Sequence, residues 1–395
     1  MFIANSTADY GKPLLQDDAA LLGTEAALET ERFLSFREGH AETPLRALPS
    51  LAGQLGVGSI HIKDEGLRLG LGSFKALGGS YAVIRLALEE ASRQLGRSVD
   101  VAELQSPEVR AVSAGLTVAC ATDGNHGRSV AQGASLIGAR AKIFVHLGVS
   151  QKRADEIARF GADVIRVEGN YDESVAEASR VAERNGWTVV SDTAWPGYER
   201  IPGLVMQGYV PLLREALRAM PETPTHVFIQ AGVGGVAAAI AGHLAVVFGE
   251  ERPRFVVVEP ARAACLLETA RADRIVKIED GEATVMAMLE CYEPSLVAWR
   301  ILSRVADGFM TVDEDDAVSA MKMLGKPVAG DPAIVAGESG GVGLAGLVRA
   351  LKDDTAREML RLDRTSRIFL VNTEGATDPA LYEKLTNLGL GDIRA

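Results

Sequence analysis

The sequence has few cysteines, few histidines and no block of basic residues. Its three cysteines, Cys120, Cys265 and Cys291, are widely spaced, which argues against a disulfide framework or a thiolate metal cage, although Cys265 and Cys291 could still pair. The six histidines show no HxxH or HExxH spacing, so we expect no metal site. The 41 basic and 53 acidic residues give a net charge of -12, which argues against a nucleic-acid partner.

The sequence also shows no pattern typical of a secretory signal or a membrane span. The N-terminal MFIANSTADYGKPLLQDDAA has no basic start followed by an apolar run, so we expect a cytoplasmic protein. The stretch 227–248 is long and nearly uncharged. Its interior Gln230, its glycine cluster and His243 divide it into a buried strand, a turn and a buried helix, so we expect no membrane partner.

The chain alternates short β-branched runs with segments of helical periodicity. The strand-like runs are KIFVH, DVIRV, WTVVSD, HVFIQ, RFVVVEP and RIFLV, and one helix is expected over about 203–220. Parallel strands need crossover helices, so the pattern predicts an α/β protein with functional residues at the carboxyl ends of strands. The 395 residues suffice for two domains. The stretch 264–304 breaks the rhythm, and we interpret it as an insertion or cap.

The glycine turn in QAGVGGVAAA follows a strand and opens a helix. Backbone N–H groups and the positive helix end converge there, which favours a phosphate cradle. Gly232, Gly234 and Ala237 also fit the G-x-G-x-x-A dinucleotide pattern. Glu259 follows at about the position of a ribose-binding acid, so an NAD-dependent dehydrogenase is an alternative function. Glycines that only allow a helix to pack closely on a sheet are a further alternative.

The stretch CATDGNHGRSVA also joins an apolar run to a helix. Thr122 or Asp123 can cap that helix, and His126 is more typical of a residue that fixes the turn than of a proton carrier. Asp123 would repel a substrate carboxylate unless it has a cationic partner. Three N–H groups are expected to be available for a carboxylate, those of Gly124, Asn125 and Gly127.

Lys75 lies in GLGSFKALGG, at the expected start of a helix. A lysine that forms an imine with an aldehyde cofactor needs a lowered pKa, and the positive field of a helix N-terminus favours one. The glycines on both sides of Lys75 would let a cofactor approach the backbone. A solvated surface lysine is the plainer alternative, and the spacing by itself is only suggestive of a cofactor lysine.

GSFKALGG, ATDGNHG and QAGVGG, in that order, resemble the fold-type-II enzymes that use pyridoxal 5'-phosphate (PLP), the tryptophan-synthase β-like family. Together with SQKRADEIARFGADVIRVEGNYDESVAEA and VNTEGATD, the resemblance covers about 60–378. It implies two open twisted, mostly parallel sheets flanked by helices, with the active site between two domains. It further implies a large PLP-binding domain from 1–74 and 193–395, a small domain from 75–192, and a homodimer.

The resemblance also assigns roles to individual residues. It implies that Lys75 carries PLP as an imine and that Asn125 hydrogen-bonds the ring hydroxyl. The partner of the pyridine nitrogen falls at Asn372 or Thr373, with the register uncertain by one residue. A neutral partner would leave that nitrogen unprotonated and favour β-elimination. Four residues would bind the PLP phosphate, namely Gly232, Val233, Gly234 and Gly235.

Two aspartates depart from the common family pattern, Asp123 before GNHG and Asp192 in VVSDTAW. The variant is most similar to family members that act on 2,3-diaminopropionate, because two carboxylates suit a substrate with a second ammonium group. The implied reaction is α,β-elimination of the L and D isomers to pyruvate and two ammonia molecules. The implied catalytic residues are Lys75, Asp123 and Asp192, and the substrate-binding residues are Thr122, Asp123, Gly124 and Asp192.

Three alternatives to this function stay open on the sequence. A serine or threonine dehydratase shares every motif except the two aspartates. The NAD-dependent dehydrogenase leaves Lys75 and the GNHG turn unexplained. A catalytically silent PLP-binding protein is disfavoured by the intact Lys75, Asp123 and Asp192.

Overall fold

The computed structural model describes residues 1–122, 124–328 and 330–393. The chain divides into two compact units, each made of discontinuous segments. Unit 1 comprises Met1–Ala26, Ala41–Phe74 and Val210–Ala395, and unit 2 comprises Ala27–His40 and Lys75–Tyr209.

The described strands and helices alternate along most of the chain. The strands are β1 (Phe2–Ala4), β2 (Leu45–Ala47), β3 (Ser59–Asp64), β4 (Thr117–Ala121), β5 (Arg140–His146), β6 (Asp163–Val167), β7 (Thr188–Val189), β8 (His226–Gln230), β9 (Arg254–Pro260), β10 (Gly308–Val312) and β11 (Arg367–Asn372). The α-helices are α1 (Gln16–Leu21), α2 (Thr24–Ser35), α3 (Pro49–Leu55), α4 (Lys75–Leu95), α5 (Pro107–Ala114), α6 (Asn125–Ile137), α7 (Gln151–Ala158), α8 (Tyr171–Asn185), α9 (Arg200–Gln207), α10 (Val210–Ala219), α11 (Gly235–Phe248), α12 (Cys265–Ala272), α13 (Leu296–Val305), α14 (Glu314–Gly325), α15 (Val342–Lys352), α16 (Asp354–Leu360), α17 (Pro379–Thr386) and α18 (Leu390–Ile393). Short 3-10 helices cover Glu65–Gly70, Val101–Glu103, Gly249–Glu251 and Ala287–Leu289.

Seven of the described strands form the sheet of unit 1, in the order β1-β10-β9-β8-β11-β3-β2. The five inner strands are parallel, whereas the edge strands β1 and β2 run antiparallel to their neighbours. Strand β8 is buried over its whole length, as its apolar sequence predicts. The register pairs Leu370 with Phe228, so the parallel strands β11 and β8 end side by side, at Asn372 and Gln230.

The sheet of unit 2 contains four of the described strands, in the order β6-β5-β4-β7, and all of its pairs are parallel. Ala119 on β4 pairs with Val189 on β7. Because carboxyl ends of parallel strands meet at one edge of a sheet, the turn after Ala121 and the segment after Val189 are brought together. These two segments contain the GNHG turn and Asp192.

Helix α4 packs closely on α6 and α9 within unit 2, at glycines. A Cβ built on Gly78 would lie 2.6 Å from the Val205 carbonyl oxygen and would also meet the Tyr209 ring. A Cβ built on Gly79 would lie 2.9 Å from Ser129 Oγ. These two glycines therefore serve helix packing, rather than the approach of a cofactor to the backbone that their sequence position suggested.

We expect Gly78→Ala to lower the free energy of unfolding by about 1–3 kcal/mol, because the added methyl group overpacks the contact with backbone and ring atoms. Urea unfolding followed by circular dichroism measures this loss. Gly53→Ala is the matched control, since a Cβ there meets nothing within 4 Å and Gly53 lies in α3. The control should gain about 0.5–1 kcal/mol from helix propensity, and an equal gain for Gly78→Ala would contradict the packing role.

The observed units differ from the expected domains in two segments. Residues 193–209 belong to unit 2 and not to the segment of the large domain, because α9 packs on α4 at Gly78. Residues 27–40 also join unit 2, where the Phe33 and Tyr81 rings lie 5.0 Å apart, centroid to centroid. The helix expected over 203–220 is two helices, α9 and α10, and the unit boundary falls between them.

Other sequence-based expectations concern buried and apolar segments. Residues 227–248 form a buried strand, a glycine turn and a largely buried helix, which confirms that prediction. Among the described residues, no helix combines the length and apolar character needed to cross a membrane.

Stretch 264–304 contains α12, a 3-10 helix and most of α13 within unit 1, and its role as a cap stays a prediction. All three cysteines are thiols, so Cys265 and Cys291 are not paired in this structure.

Candidate active site

Lys75 begins α4 in unit 2, where its Nζ donates a hydrogen bond to Asp192 Oδ2. The side chains form an ion pair that is mostly buried, with 24% of Lys75 and 14% of Asp192 exposed. The two residues are 117 positions apart in the chain. The structure therefore unites two of the residues that the sequence assigned to catalysis.

The environment of Asp192 keeps its carboxylate ionised. Burial raises the pKa of Asp192, but the charge of Lys75, the charge that His126 takes up at low pH and the hydrogen bond from Lys75 together outweigh burial and hold that pKa below its usual value. The Tyr198 hydroxyl holds the preceding segment in place. It donates to the Val189 carbonyl oxygen at 2.8 Å and accepts from the Ser191 N–H at 3.0 Å.

His126 presents an unprotonated nitrogen to this ion pair. Its Nε2 lies 2.8 Å from the Val190 carbonyl oxygen, which can only accept, so Nε2 carries the hydrogen. Burial lowers the pKa of His126, despite the opposing effect of Asp192, so the ring is neutral near pH 7. Nδ1 is then a lone-pair acceptor, 4.0 Å from Asp192 Oδ2. The ring also ties α6 to the segment after β7, consistent with the structural role expected for it.

The turn before α6 is closed by Thr122. Its Oγ1 accepts from the N–H groups of Gly124 and Gly127, both at 3.0 Å, so the expected capping by Thr122 is confirmed. The same bonds show that these two N–H groups are not available for a carboxylate, and that prediction is wrong for Gly124 and Gly127. The buried Asn125 accepts from the Arg128 guanidinium at 2.9 Å through Oδ1. Asp123 lies outside the described residues.

The glycine turn of unit 1 joins β8 to α11 without a side-chain cap. Gly234 has a φ of 97°, a conformation that favours glycine, and α11 begins at Gly235 with no side chain hydrogen-bonded at its N-cap. A Cβ built on Gly232 would lie 2.9 Å from Cys291 Sγ. The turn therefore exposes backbone N–H groups at a helix N-terminus, the arrangement that binds phosphate. Val233 lies between these glycines and is only partly buried.

Asn372 and Thr373, the two candidates for the pyridine nitrogen, differ in their hydrogen bonds. The Asn372 amide donates to Asp64 Oδ1 at 2.8 Å and to the Val335 carbonyl oxygen at 3.1 Å. Thr373 Oγ1 accepts from the Gln230 amide at 2.8 Å, so its own hydroxyl hydrogen is left to donate elsewhere. The hydroxyl of Thr373 is thus the better donor of the two.

The segment before Lys75 is hydrogen-bonded to the residues that follow β11. The Phe74 N–H donates to the Thr373 carbonyl oxygen at 3.0 Å, and the Gly375 N–H donates to the Gly72 carbonyl oxygen at 3.0 Å. A β-bridge joins Ser73 to Glu374 between these bonds. Lys75 is the next residue after this paired segment.

Glu259 does not serve as a ribose-binding acid. Its side chain is fully buried, and its two carboxyl oxygens accept the N–H groups of Leu266 and Leu267 at 2.7 and 2.8 Å. The carboxyl group therefore caps the start of α12. This role removes the main support for the dehydrogenase alternative.

The sequence did not predict a role for Gln230 beyond that of a polar side chain that interrupts an apolar stretch. The available signal was its position, a polar side chain at the end of a buried strand and directly before a glycine turn. Tyr198, which holds the segment before Asp192, left no comparable signal in the sequence.

Comparisons with known proteins identify the family to which the sequence is similar. The family model described as pyridoxal-phosphate dependent enzyme matches residues 36–374. The chain is 39% identical over 355 residues to the diaminopropionate ammonia-lyase of Escherichia coli K12, a match that covers 88% of this chain and 87% of that protein. It is 37% identical over 382 residues to the diaminopropionate ammonia-lyase of Salmonella typhimurium, with 93% of each chain covered.

The fold is also similar to a solved structure. The crystal structure of the Escherichia coli diaminopropionate ammonia lyase in complex with an aminoacrylate-PLP azomethine reaction intermediate superposes with a TM-score of 0.87. The identity is 36%, and the match covers 98% of this chain and 96% of the other. The expected class, two mostly parallel sheets flanked by helices, is confirmed by this likeness and by the strand order.

Proposed function

Because this chain belongs to the family of pyridoxal-phosphate dependent enzymes, we propose that it eliminates the β-amino group of 2,3-diaminopropionate. One molecule of 2,3-diaminopropionate and one of water yield pyruvate and two molecules of ammonia. The observation that supports this choice of substrate is the mostly buried, ionised Asp192 beside Lys75. A carboxylate in this position suits a substrate that brings a second ammonium group.

The residues present fit PLP, the cofactor of the family. The uncapped N-terminus of α11 offers backbone N–H groups to a phosphate, and we assign that role to Gly232, Val233, Gly234 and Gly235. Lys75 Nζ would hold the aldehyde carbon, Asn125 the ring hydroxyl and Thr373 the ring nitrogen. Asn372 is the weaker candidate for the nitrogen because its amide already donates to Asp64 and Val335.

Bound PLP supplies an aldehyde for the α-amino group and a conjugated ring that withdraws electrons from Cα. Lys75 Nζ, once released, takes the proton from Cα of the L isomer, and the β-ammonium group, which already carries its proton, departs as ammonia. Asp192 holds the β-ammonium group by a charge-assisted hydrogen bond. The released enamine hydrolyses in water to pyruvate and the second ammonia.

Three residues keep their proposed roles on sequence grounds. Asp123 is proposed to accept the Cα proton of the D isomer and to contribute to substrate binding. Thr122 and Gly124 are proposed to shape the substrate-binding turn, which Thr122 closes through its own hydroxyl. A homodimeric enzyme also stays a proposal, which rests on the family resemblance, and a cytoplasmic location stays a prediction.

Product stoichiometry tests the proposed reaction. The purified protein is incubated with each isomer of 2,3-diaminopropionate, with serine and with threonine, with and without added PLP. We expect PLP-dependent formation of two ammonia molecules for each pyruvate from diaminopropionate, because both amino groups are lost. Formation of one ammonia for each oxo acid, from serine or threonine but not from diaminopropionate, would contradict the proposal and favour a dehydratase.

A further inference from the structure

The Gln230 side chain lies at the end of β8 and is almost completely buried, with 1% of its surface exposed. Its Nε2 lies 2.6 Å from the Gly340 carbonyl oxygen, 3.0 Å from the Val371 carbonyl oxygen and 2.8 Å from Thr373 Oγ1. Its Oε1 accepts the Gly343 N–H at 3.1 Å. Every polar atom of this amide is therefore engaged within unit 1.

These partners fix which end of the amide faces Thr373. Gly343 offers an N–H, which can only donate, so it must face the amide oxygen. Carbonyl oxygens can only accept, so the amide nitrogen must face Gly340 and Val371. The two hydrogens of this amide nitrogen are shared among the two carbonyl oxygens and Thr373 Oγ1, and the nitrogen cannot accept a hydrogen bond from Thr373.

The fixed amide sets the direction of the Thr373 hydroxyl. Because Thr373 Oγ1 accepts from Gln230, its hydrogen points away from the Gln230 nitrogen and can donate to a different acceptor. Without the Gln230 amide, the Val371 carbonyl oxygen would lose this donor, whereas the Gly340 carbonyl oxygen would keep the Thr373 N–H at 3.2 Å. The Val371 carbonyl oxygen would then compete for the Thr373 hydroxyl hydrogen, because the loss of a donor to a buried carbonyl oxygen is costly.

We propose that Gln230 is a positioning residue that keeps the Thr373 hydroxyl a donor toward the ring nitrogen of PLP. This inference rests on the proposed function, in which Thr373 meets that nitrogen. A hydroxyl that donates a hydrogen bond to the ring nitrogen keeps that nitrogen unprotonated. An unprotonated nitrogen limits the capacity of the ring to withdraw electrons and favours elimination. Gln230 acts only through Thr373 and touches neither substrate nor cofactor in this role.

A double-mutant cycle in cofactor affinity tests the proposal. The dissociation constant of PLP is measured by absorbance titration of the cofactor-free protein for the wild type, Gln230→Met, Thr373→Val and the double variant. We expect Gln230→Met to weaken PLP binding about three- to tenfold, the range of one hydrogen bond, in the wild-type background. In the Thr373→Val background the same change should have almost no effect, because no hydroxyl remains to be directed.

Controls separate a directing role from a structural one. Gln207→Met removes a buried glutamine of unit 2, which accepts from Tyr81, and should leave PLP affinity unchanged. If Gln230→Met does not fold, Gln230→Asn enters the same cycle with a shorter amide. If Gln230→Met weakens PLP binding equally in the wild type and in the Thr373→Val variant, the inference is overturned and the proposed function is left intact. A wild-type protein that shows no saturable PLP binding would overturn both.

Discussion

Replacing Lys75 with alanine should remove the visible absorption of lysine-bound PLP and lower pyruvate formation from 2,3-diaminopropionate by at least about 10²–10⁴-fold. The loss follows because one amine holds the cofactor aldehyde and also moves the Cα proton, and general acid-base catalysis alone contributes about that factor. Absorbance spectra and initial rates with saturating PLP measure the two effects together. An unchanged spectrum would contradict the assignment of Lys75.

The protein supplies a matched control for this variant. Lys142 forms an ion pair with Asp163 on the sheet of the same unit, and 66% of the Asp163 side chain is exposed. Lys142→Ala removes a lysine and an ion pair of the same chemistry. Both the spectrum and the rate should stay at wild-type values, because surface ion pairs contribute little.

The stability of Lys75→Ala, measured without cofactor, is a second and independent test of the ion pair between Lys75 and Asp192. Burial is the largest influence on the pKa of the Asp192 carboxyl group, so we expect this pKa to rise above its usual value when Lys75 is removed. A group with a raised pKa in the fold loses its stabilising contribution as the pH rises through that value. The loss of stability of Lys75→Ala relative to the wild type should therefore be about 1–3 kcal/mol at pH 7 and shrink below about pH 4.

The fold was largely predictable from the sequence because its elements are locally encoded. The buried strand β8, the glycine turn and helix α11 follow directly from an apolar run, a glycine cluster and an alanine-rich stretch. The break between α9 and α10 was not predictable in the same way. Gly208 has a helical φ of -58°, so its conformation does not mark the end of α9, and α9 packs on α4 at Gly78. Packing partners from distant segments cannot be read from local periodicity.

The individual site residues were easier to predict than their hydrogen bonds. Lys75 and Asp192 could both be placed at element ends that face a functional edge, but the pairing of one with the other depends on the adjacency of β4 and β7. The N–H groups of Gly124 and Gly127 were assigned to a substrate because nothing local shows that Thr122 satisfies them. Glu259 matched a cofactor pattern in sequence and serves α12 in the structure.

The second large effect that we predict is the loss of substrate selection when the charge of Asp192 is removed. Asp192→Asn keeps the size and shape of the side chain and removes its charge, so it can no longer bind an ammonium group by a charge-assisted hydrogen bond. We expect kcat/KM for 2,3-diaminopropionate to fall about 10–100-fold, the range of one hydrogen bond to a charged group. Serine has a hydroxyl group in place of the β-ammonium group, so its kcat/KM should fall less.

The ratio of the two substrates isolates the contact with the β-ammonium group. Asp192 also binds Lys75, and any effect that acts through Lys75 lowers turnover of both substrates equally. Only the diaminopropionate-to-serine ratio reports the second ammonium group. Asp163→Asn, the exposed partner of Lys142, should leave that ratio and both rates unchanged. If Asp192→Asn lowers kcat/KM for both substrates by the same factor, Asp192 acts on Lys75 alone. The preference for a substrate with two amino groups must then come from other residues.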